Sequence, residues 1–307
     1  MISFIMPFAS RGDNLHEWKD TDSSMIVFST ILAIKNINKV LFYLDKEIIL
    51  VDNTNSFPDI KMPNLKIVKG IQYLTGDNLT DELKLKYKIG VDMHTQDVTN
   101  HTMWASIAYN IGIEHSEGDY IVLQHNDIFY HKNEFDNLLK LLNKNEYISA
   151  DSKHLSLTGY LGNKETIDTI GKEFEIGHEH GGYLKQKEFG MADAYFFLCK
   201  KEFFNDYSVD WGYGDTNHGA TIKCLLEDKP FLHLGPFFGN NNYETDSSNV
   251  YKFREEDFIT HLKGGFSEHN MSFKLNNSDL STSAASSSYD IVLDSANNYL
   301  QKLIKSI

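Results

Sequence analysis

The chain has 307 residues, 41% of them hydrophobic and 23% charged, which is ordinary for a soluble globular protein and ample for a buried core. Its formal charge of -14 works against anionic partners, and no Lys- or Arg-dense stretch offsets it, so nucleic acid is excluded as the expected ligand. Two cysteines, Cys199 and Cys224, are too few for a secreted disulfide scaffold and read as reduced and buried in a cytoplasmic protein.

The apolar run over residues 2–8 reads as a first buried strand. It lacks a basic flank and is broken by Pro7, so it does not read as a signal peptide. No window approaches the ~20 apolar residues that span a bilayer, leaving at most peripheral membrane contact. Residues 21–37 carry Met25, Ile26, Phe28, Ile31, Leu32 and Ile34 at helical spacing, with Thr21, Asp22 or Ser23 as the N-cap. Residues 47–52 form a second strand before the turn-forming Asn53-Thr54-Asn55-Ser56, and residues 65–69 a third. A helix over 101–115, a strand over 120–124 and a helix over 135–142 follow. This alternation predicts an α/β fold with a mainly parallel sheet and helices on both faces.

From 151 to 190 the pattern fails and Gly and His become frequent, as in Gly177-His178-Glu179-His180-Gly181-Gly182. Such a stretch inside a domain reads as a binding loop or lid. Regular structure resumes over 192–199, with a helix over 215–226 and a strand over 230–234. Residues 276–288 are low in complexity and read as a flexible linker. Beyond them Ile291, Leu293, Ala296, Leu300, Leu303 and Ile307 mark an amphipathic helix that docks on its own domain or on a partner.

Open parallel sheets bind ligands beyond the carboxyl ends of their strands, which directs attention to four segments. After the first strand stands Arg11, whose guanidinium matches a diphosphate bidentately but is equally at home on a surface loop. No G-x-G-x-x-G follows this strand, which excludes the dinucleotide fingerprint. Asp52 ends the second strand, suited to a nucleoside hydroxyl or base and equally to capping its own turn. After the fourth strand comes Gln124-His125-Asn126-Asp127. If the segment stays extended, His125 and Asp127 project to one side, and imidazole with carboxylate suits Mn²⁺, or Mg²⁺ through the carboxylate. Val209-Asp210-Trp211-Gly212-Tyr213-Gly214-Asp215 offers a flat indole for a sugar ring, glycines that let backbone approach a ligand, and Asp215 as either general base or N-cap. His233 ends the last of these strands.

In this order the segments resemble the GT-A glycosyltransferases, family 2 and the related family 7 galactosyltransferases in particular, over roughly residues 1–240. Pro7-Phe8 with Arg11, Leu15 and Trp18 is similar to a P-F-R-x-R opening. Residues 47–56 resemble the family 2 strand that ends in a nucleoside-holding acid. Ala108, Asn110, Gly112 and Ile113, then Gly118 to Ile121, then His125-Asn126-Asp127, resemble the run A-R-N-x-G-I…G-x-Y-I…D-x-D. Trp211 to Asp215, with His233 behind, resembles W-G-G-E-D and its metal histidine. His125 in place of the first D-x-D acid, Gly214 in place of a sugar-contacting Glu, and Tyr109 in place of a basic residue depart from the pattern and leave the donor sugar open.

The resemblance implies a GT-A fold and an inverting transfer from a UDP-sugar, such as UDP-Gal, UDP-GalNAc or UDP-Glc, to a glycan or glycoconjugate hydroxyl. Pro7, Phe8, Arg11, Asp52, Asn110, His125, Asn126, Trp211 and Gly212 would line the donor. Asp127 and His233, with His125, would hold Mn²⁺ or Mg²⁺, and Asp215 would be the base. Residues 1–270 would form the catalytic domain, 1–130 holding the nucleotide and 131–270 the acceptor, before a linker over 271–289 and the helix over 290–307. A non-catalytic sugar-binding protein and a metal-dependent hydrolase are the alternatives.

Overall fold

A computed structural model describes residues 1–8, 23–53, 57–70, 82, 101–150, 192, 196–209, 217–234 and 258–261. The strands are β1 Ile2–Phe8, β2 Lys46–Asp52, β3 Leu65–Lys69, β4 Tyr120–Gln124, β5 Ile128–Tyr130, β6 Tyr147–Ala150, β7 Phe196–Lys200, β8 Leu232–Leu234 and β9 Ile259–His261. The helices are α1 Ser23–Val40, α2 His101–Glu114, α3 Phe135–Leu142 and α4 His218–Leu226, with a 3₁₀ turn over Lys201–Asn205. Among the described residues seven strands form one sheet in the order β3-β2-β1-β4-β7-β6-β8, and β5 pairs with β9 apart from it. Within the large sheet only β7 runs antiparallel to its neighbours. The expected α/β fold, mainly parallel with helices on both faces, is what the chain adopts.

Burial on both faces explains why the central strands read as unbroken apolar runs. Ile5, Ile49, Val51 and Leu123 join one core with Ile107, Ala108 and Ile111 of α2. Phe4, Met6, Ile48 and Leu50 join the other with Ile34, Ile37 and Leu41 from α1 and the turn after it. In α3 the buried Phe135, Leu138 and Leu142 fall at helical spacing on the same side as α1. Helix α2 lies close on β1 because position 112 is glycine: a Cβ there would land on the Ile5 side chain. Edge-to-face rings fill the α1 side, with Phe4, Tyr130, Phe135, Phe196 and Phe258 at centroid separations such as 5.4 Å for Tyr130–Phe258.

The amino-terminal ends of the strands are closed by hydrogen bonds. Glu47 Oε1 accepts from Ser3 Oγ at 2.5 Å, Glu117 N at 2.5 Å and Gly118 N at 3.2 Å. A Cβ at Gly118 would meet the backbone of Ser3 and Met1. Lys201 Nζ donates to Ser116 O and Lys66 Nζ to His115 O. Lys46 Nζ donates to Leu41 O at 2.7 Å just past α1, and its burial lowers the ammonium pKa.

Several expectations move. Helix α4 begins at His218 rather than at Asp215, and α1 runs on to Val40. Both cysteines are buried and free, as expected. No helix among the described residues is long and apolar enough to cross a membrane. The lid candidate over 177–182, the linker over 271–289 and the helix over 290–307 lie outside the described residues.

Candidate active site

Helices α1 and α2 cover opposite faces, and the strand order reverses between β1 and β4. In open α/β sheets the ligand crevice lies outside the carboxyl ends of the strands at such a switch point. Pro7 and Phe8 end β1, Asp52 ends β2 and pairs with Phe8, and the 125–127 segment leaves β4.

The wall on the β1 and β2 side is well packed. Phe8 is buried edge-to-face on Phe57 at 4.8 Å, so it supports the crevice from within the core; Pro7 is half-buried. Asp52 is only 3% exposed. Its Oδ2 accepts from Phe57 N at 2.7 Å, which realises the turn-capping reading. Asn53 N donates to Phe8 O and Gly70 N to Asp52 O, so the three strand ends are tied to each other beneath the crevice floor.

On the β4 side the premise of an extended His125-Asn126-Asp127 does not hold. The strand stops at Gln124 and residues 126–127 form a turn into β5, so strand alternation no longer sets the directions of His125 and Asp127. Side chains hold that turn instead. Asn126 Nδ2 donates to Thr30 Oγ1 of α1 at 2.9 Å, and Thr30 is fully buried. Tyr130 Oη donates to Gln124 Oε1 at 2.6 Å, bracketing the turn from below. Burial pushes the Tyr130 phenol well above its usual pKa, so it stays a donor. Asn36 then fixes β5 by accepting from Tyr130 N at 2.6 Å and donating to Tyr130 O at 2.9 Å. Asp127 is thus a largely buried carboxylate in a tethered turn, with the half-buried His125 before it.

Asn110 is engaged elsewhere. Its Oδ1 accepts from Val209 N at 3.0 Å, and its Nδ2 donates to Val209 O at 2.7 Å and Ser106 O at 3.0 Å. The expected donor contact gives way to a structural bond, because both ends of this buried amide are used by backbone. Arg11, Trp211, Gly212 and Asp215 lie outside the described residues, and only the backbone of His233 is described. In β8 that backbone pairs with Ser149 of β6, with β7 and β6 between it and β4. Three strand spacings amount to about 14 Å. His233 and Asp127 can meet at one ion only where the 125–127 turn leans across β7. Among the described residues no three His, Cys, Asp or Glu side chains gather as a metal site.

Thr30, Asn36 and Tyr130 carry no motif and could not be picked from the sequence. Their one local signal is polar character inside apolar elements.

Residues 97–208 match the family model described as Glycosyl transferase family 2. The chain is similar to a solved galactosyltransferase, LgtC, in complex with donor and acceptor sugar analogues, at 9% identity over 84% of this chain and 86% of that one, TM-score 0.41. It is similar to mouse xyloside xylosyltransferase 1 at 11% identity over 84% and 96%, TM-score 0.45. It is also similar to the mannosyltransferase PcManGT from Pyrobaculum calidifontis in complex with GDP-Man and Mn²⁺, at 10% identity over 100% and 75%, TM-score 0.40. No curated protein matches the sequence. The family match takes in Asn110, Gly112 and the 125–127 turn. Over that stretch it bears out the resemblance to family 2 and the expected enzyme class, a glycosyltransferase.

Proposed function

We propose that the crevice at the carboxyl ends of β1, β2 and β4 binds a nucleotide diphosphate-sugar, with uridine the expected base, and passes its sugar with inversion to a glycan hydroxyl. One observation carries this reading. The family 2 segment delivers a largely buried carboxylate, Asp127, to the topological switch point, in a turn held by Asn126–Thr30. A buried acid so placed faces a ligand that brings positive charge with it, which a metal-bound diphosphate does.

The donor set fits a divalent ion in kind. Asp127 supplies a carboxylate and His125 an imidazole beside it; His233 is the proposed third ligand. When bound, Mn²⁺ or Mg²⁺ supplies Lewis-acid neutralisation of the leaving diphosphate, worth several kcal/mol. Residues of the chain do the remaining work. Asp52 and the ends of β1 and β2 shape the nucleoside side, with Arg11 directed to phosphate. Trp211 and Gly212 offer a stacking face and close backbone approach to the sugar. Asp215 takes the proton from the acceptor hydroxyl as it attacks the anomeric carbon, a contribution of ~10²–10⁴-fold. Residues 1–130 form the donor half and 131–270 the acceptor half, and the lid over 177–182 excludes water.

The test is a thermal-shift screen of UDP-Gal, UDP-GalNAc, UDP-Glc and GDP-Man with and without Mn²⁺. One donor should raise the midpoint by a few degrees only when the ion is present, since saturation at about a hundred times Kd adds ~2.7 kcal/mol. Equal shifts without Mn²⁺ would remove the ion from the site, and no shift with any nucleotide would remove the donor.

A further inference from the structure

Among the described residues three large hydrophobic side chains are left exposed, Phe42 at 60%, Tyr43 at 74% and Leu141 at 39%. Scattered singly, such residues would need no explanation. These three fall at one end of one face. Phe42 and Tyr43 lie in the turn between α1 and β2, and Leu141 in the last turn of α3. Both helices pack into the core on the same side of the sheet. Each leads into a strand that runs parallel to β1, β2 at Lys46 and β6 at Tyr147, so both helix ends lie at the amino end of the sheet.

The turn holds its two rings outward. Leu41 is fully buried and Leu44 packs on the same core, so the chain dips inward on both sides of the exposed pair. Lys46 Nζ donates to Leu41 O at 2.7 Å and to Leu44 O at 3.5 Å, and Leu44 N donates to Leu41 O at 3.1 Å. A buried ammonium is costly to keep, and this one fixes the backbone that presents the rings. Groups fixed before contact lose less entropy on binding.

Lysines accompany all three side chains. Lys35 and Lys39 are exposed one turn apart on α1, and Lys140 and Lys144 are exposed beside Leu141. None of the four forms an ion pair or hydrogen bond among the described residues. The carboxylates are offset or stand apart. Glu134 pairs with Lys132 and Glu146 with Lys229, while Asp136 sits in the first turn of α3. Asp45 and Asp119 lie 3.7 and 3.3 Å from the amino group of Met1, and Asp59 has Lys61 two residues on. Glu114 and Glu117 stand at and just beyond the end of α2, the helix of the opposite face. On a chain of formal charge -14 this basic corner is a local reversal, which no continuous stretch of sequence announces. The helix dipole accounts for lysines in a last turn, but not for aromatic rings held in solvent beside them.

We propose that this corner is a docking surface for a bilayer rich in anionic lipid, with Phe42, Tyr43 and Leu141 entering the headgroup layer and the four lysines meeting lipid charge. Aromatic rings settle at that level, and basic side chains around them add electrostatic attraction. The contacts come from two helices, and a bilayer, being a continuous anionic plane, meets both without a shaped pocket. The carboxyl ends of the strands lie about 20 Å away along β1, so a docked chain keeps them clear of lipid.

Sedimentation of the full chain with vesicles tests the proposal. The chain should bind vesicles of equimolar phosphatidylcholine and phosphatidylglycerol and leave pure phosphatidylcholine unbound, since each lysine at an anionic surface is worth about fivefold in affinity. Lys39→Glu with Lys140→Glu should weaken binding by about twentyfold or more. Phe42→Ser with Tyr43→Ser should weaken it by about tenfold or more, and both pairs should keep the wild-type thermal midpoint because the side chains are exposed. No binding to the anionic vesicles, or equal binding to both kinds, overturns the proposal. Binding that survives both pairs of substitutions also overturns it, because the contact then lies elsewhere on the chain. A concentration-dependent dimer in sedimentation velocity that Phe42→Ser with Tyr43→Ser dissolves would give the rings to a second copy of the chain and overturn it as well.

Discussion

The two ends of the central sheet are built differently. At the amino ends Glu47 gathers Ser3, Glu117 and Gly118 on one oxygen, and lysines 66 and 201 cap carbonyls just past α2. These groups satisfy one another within the fold, and glycine at 118 lets backbone close on backbone. At the carboxyl ends the strands finish in Asp52, Asn53, Gln124 and the 125–127 turn, buried or half-buried polar groups that surround the switch point. One end serves cohesion, and the other is the end at which open α/β sheets bind their ligands. The difference teaches that polar side chains at a sheet's end must be sorted by what they bond before they are given a role. Asp52 and Asn110, both singled out as donor contacts, proved to spend hydrogen bonds on the chain itself.

The contrast breaks most sharply at Asp127. Asp127→Ala should lower Mn²⁺-dependent sugar transfer by about a thousandfold or more, a loss like that of other transition-state charge stabilisers, with an unchanged denaturation midpoint; near-normal turnover would abolish the distinction between the two ends. Glu47→Ala should do the reverse. It removes the acceptor of Ser3 Oγ and Glu117 N while Gly118 N keeps its bond to Ser3 Oγ, costing about 1–2 kcal/mol in chemical denaturation, while kcat per folded molecule stays as in the wild type. A smaller effect sharpens the boundary. Thr30→Val removes the acceptor that holds Asn126, and should weaken the Mn²⁺-dependent thermal shift severalfold with about 1 kcal/mol lost in stability. The least effect is expected away from both ends. Burial pushes the Cys224 thiol up to about 12 and Cys199 well above its usual value, so both stay protonated at pH 8. Native protein should react with a thiol reagent far more slowly than unfolded protein. Since these pKa values are raised by folding, the associated stability is full below about pH 9 and declines as pH rises from there toward 12.

The fold was largely readable where burial is continuous. Strands β1 to β4 and helix α3 announce themselves through short apolar runs such as Ile48–Val51 and Ile121–Leu123, or through apolar residues at every third and fourth position. Strand β6 escaped notice because it has four residues with Ser149 among them, and β5 and β9 because three residues give no period to read. Of the site, the place of Asp127 at the end of β4 was legible from motif order. How it is held was not. Asn126 reaches Thr30 across 96 positions and Asn110 reaches Val209 across 99, and bonds of that span leave no local pattern.

The pairing of β5 with β9 carries a consequence for how the molecule is made. Ile128 lies opposite His261, so the short strand that follows the Asp127 turn finds its partner only after residues 131–258 have been synthesised. Until then the rim of Tyr130 lacks Phe258 against it. Closing so wide a loop adds little to the thermodynamic cost, because loop entropy grows only logarithmically, but contacts of such span slow folding. The β5–β9 pair is therefore completed late on the ribosome, and a chain cut short of residue 258 carries the residues that match the family model without the partner strand of β5.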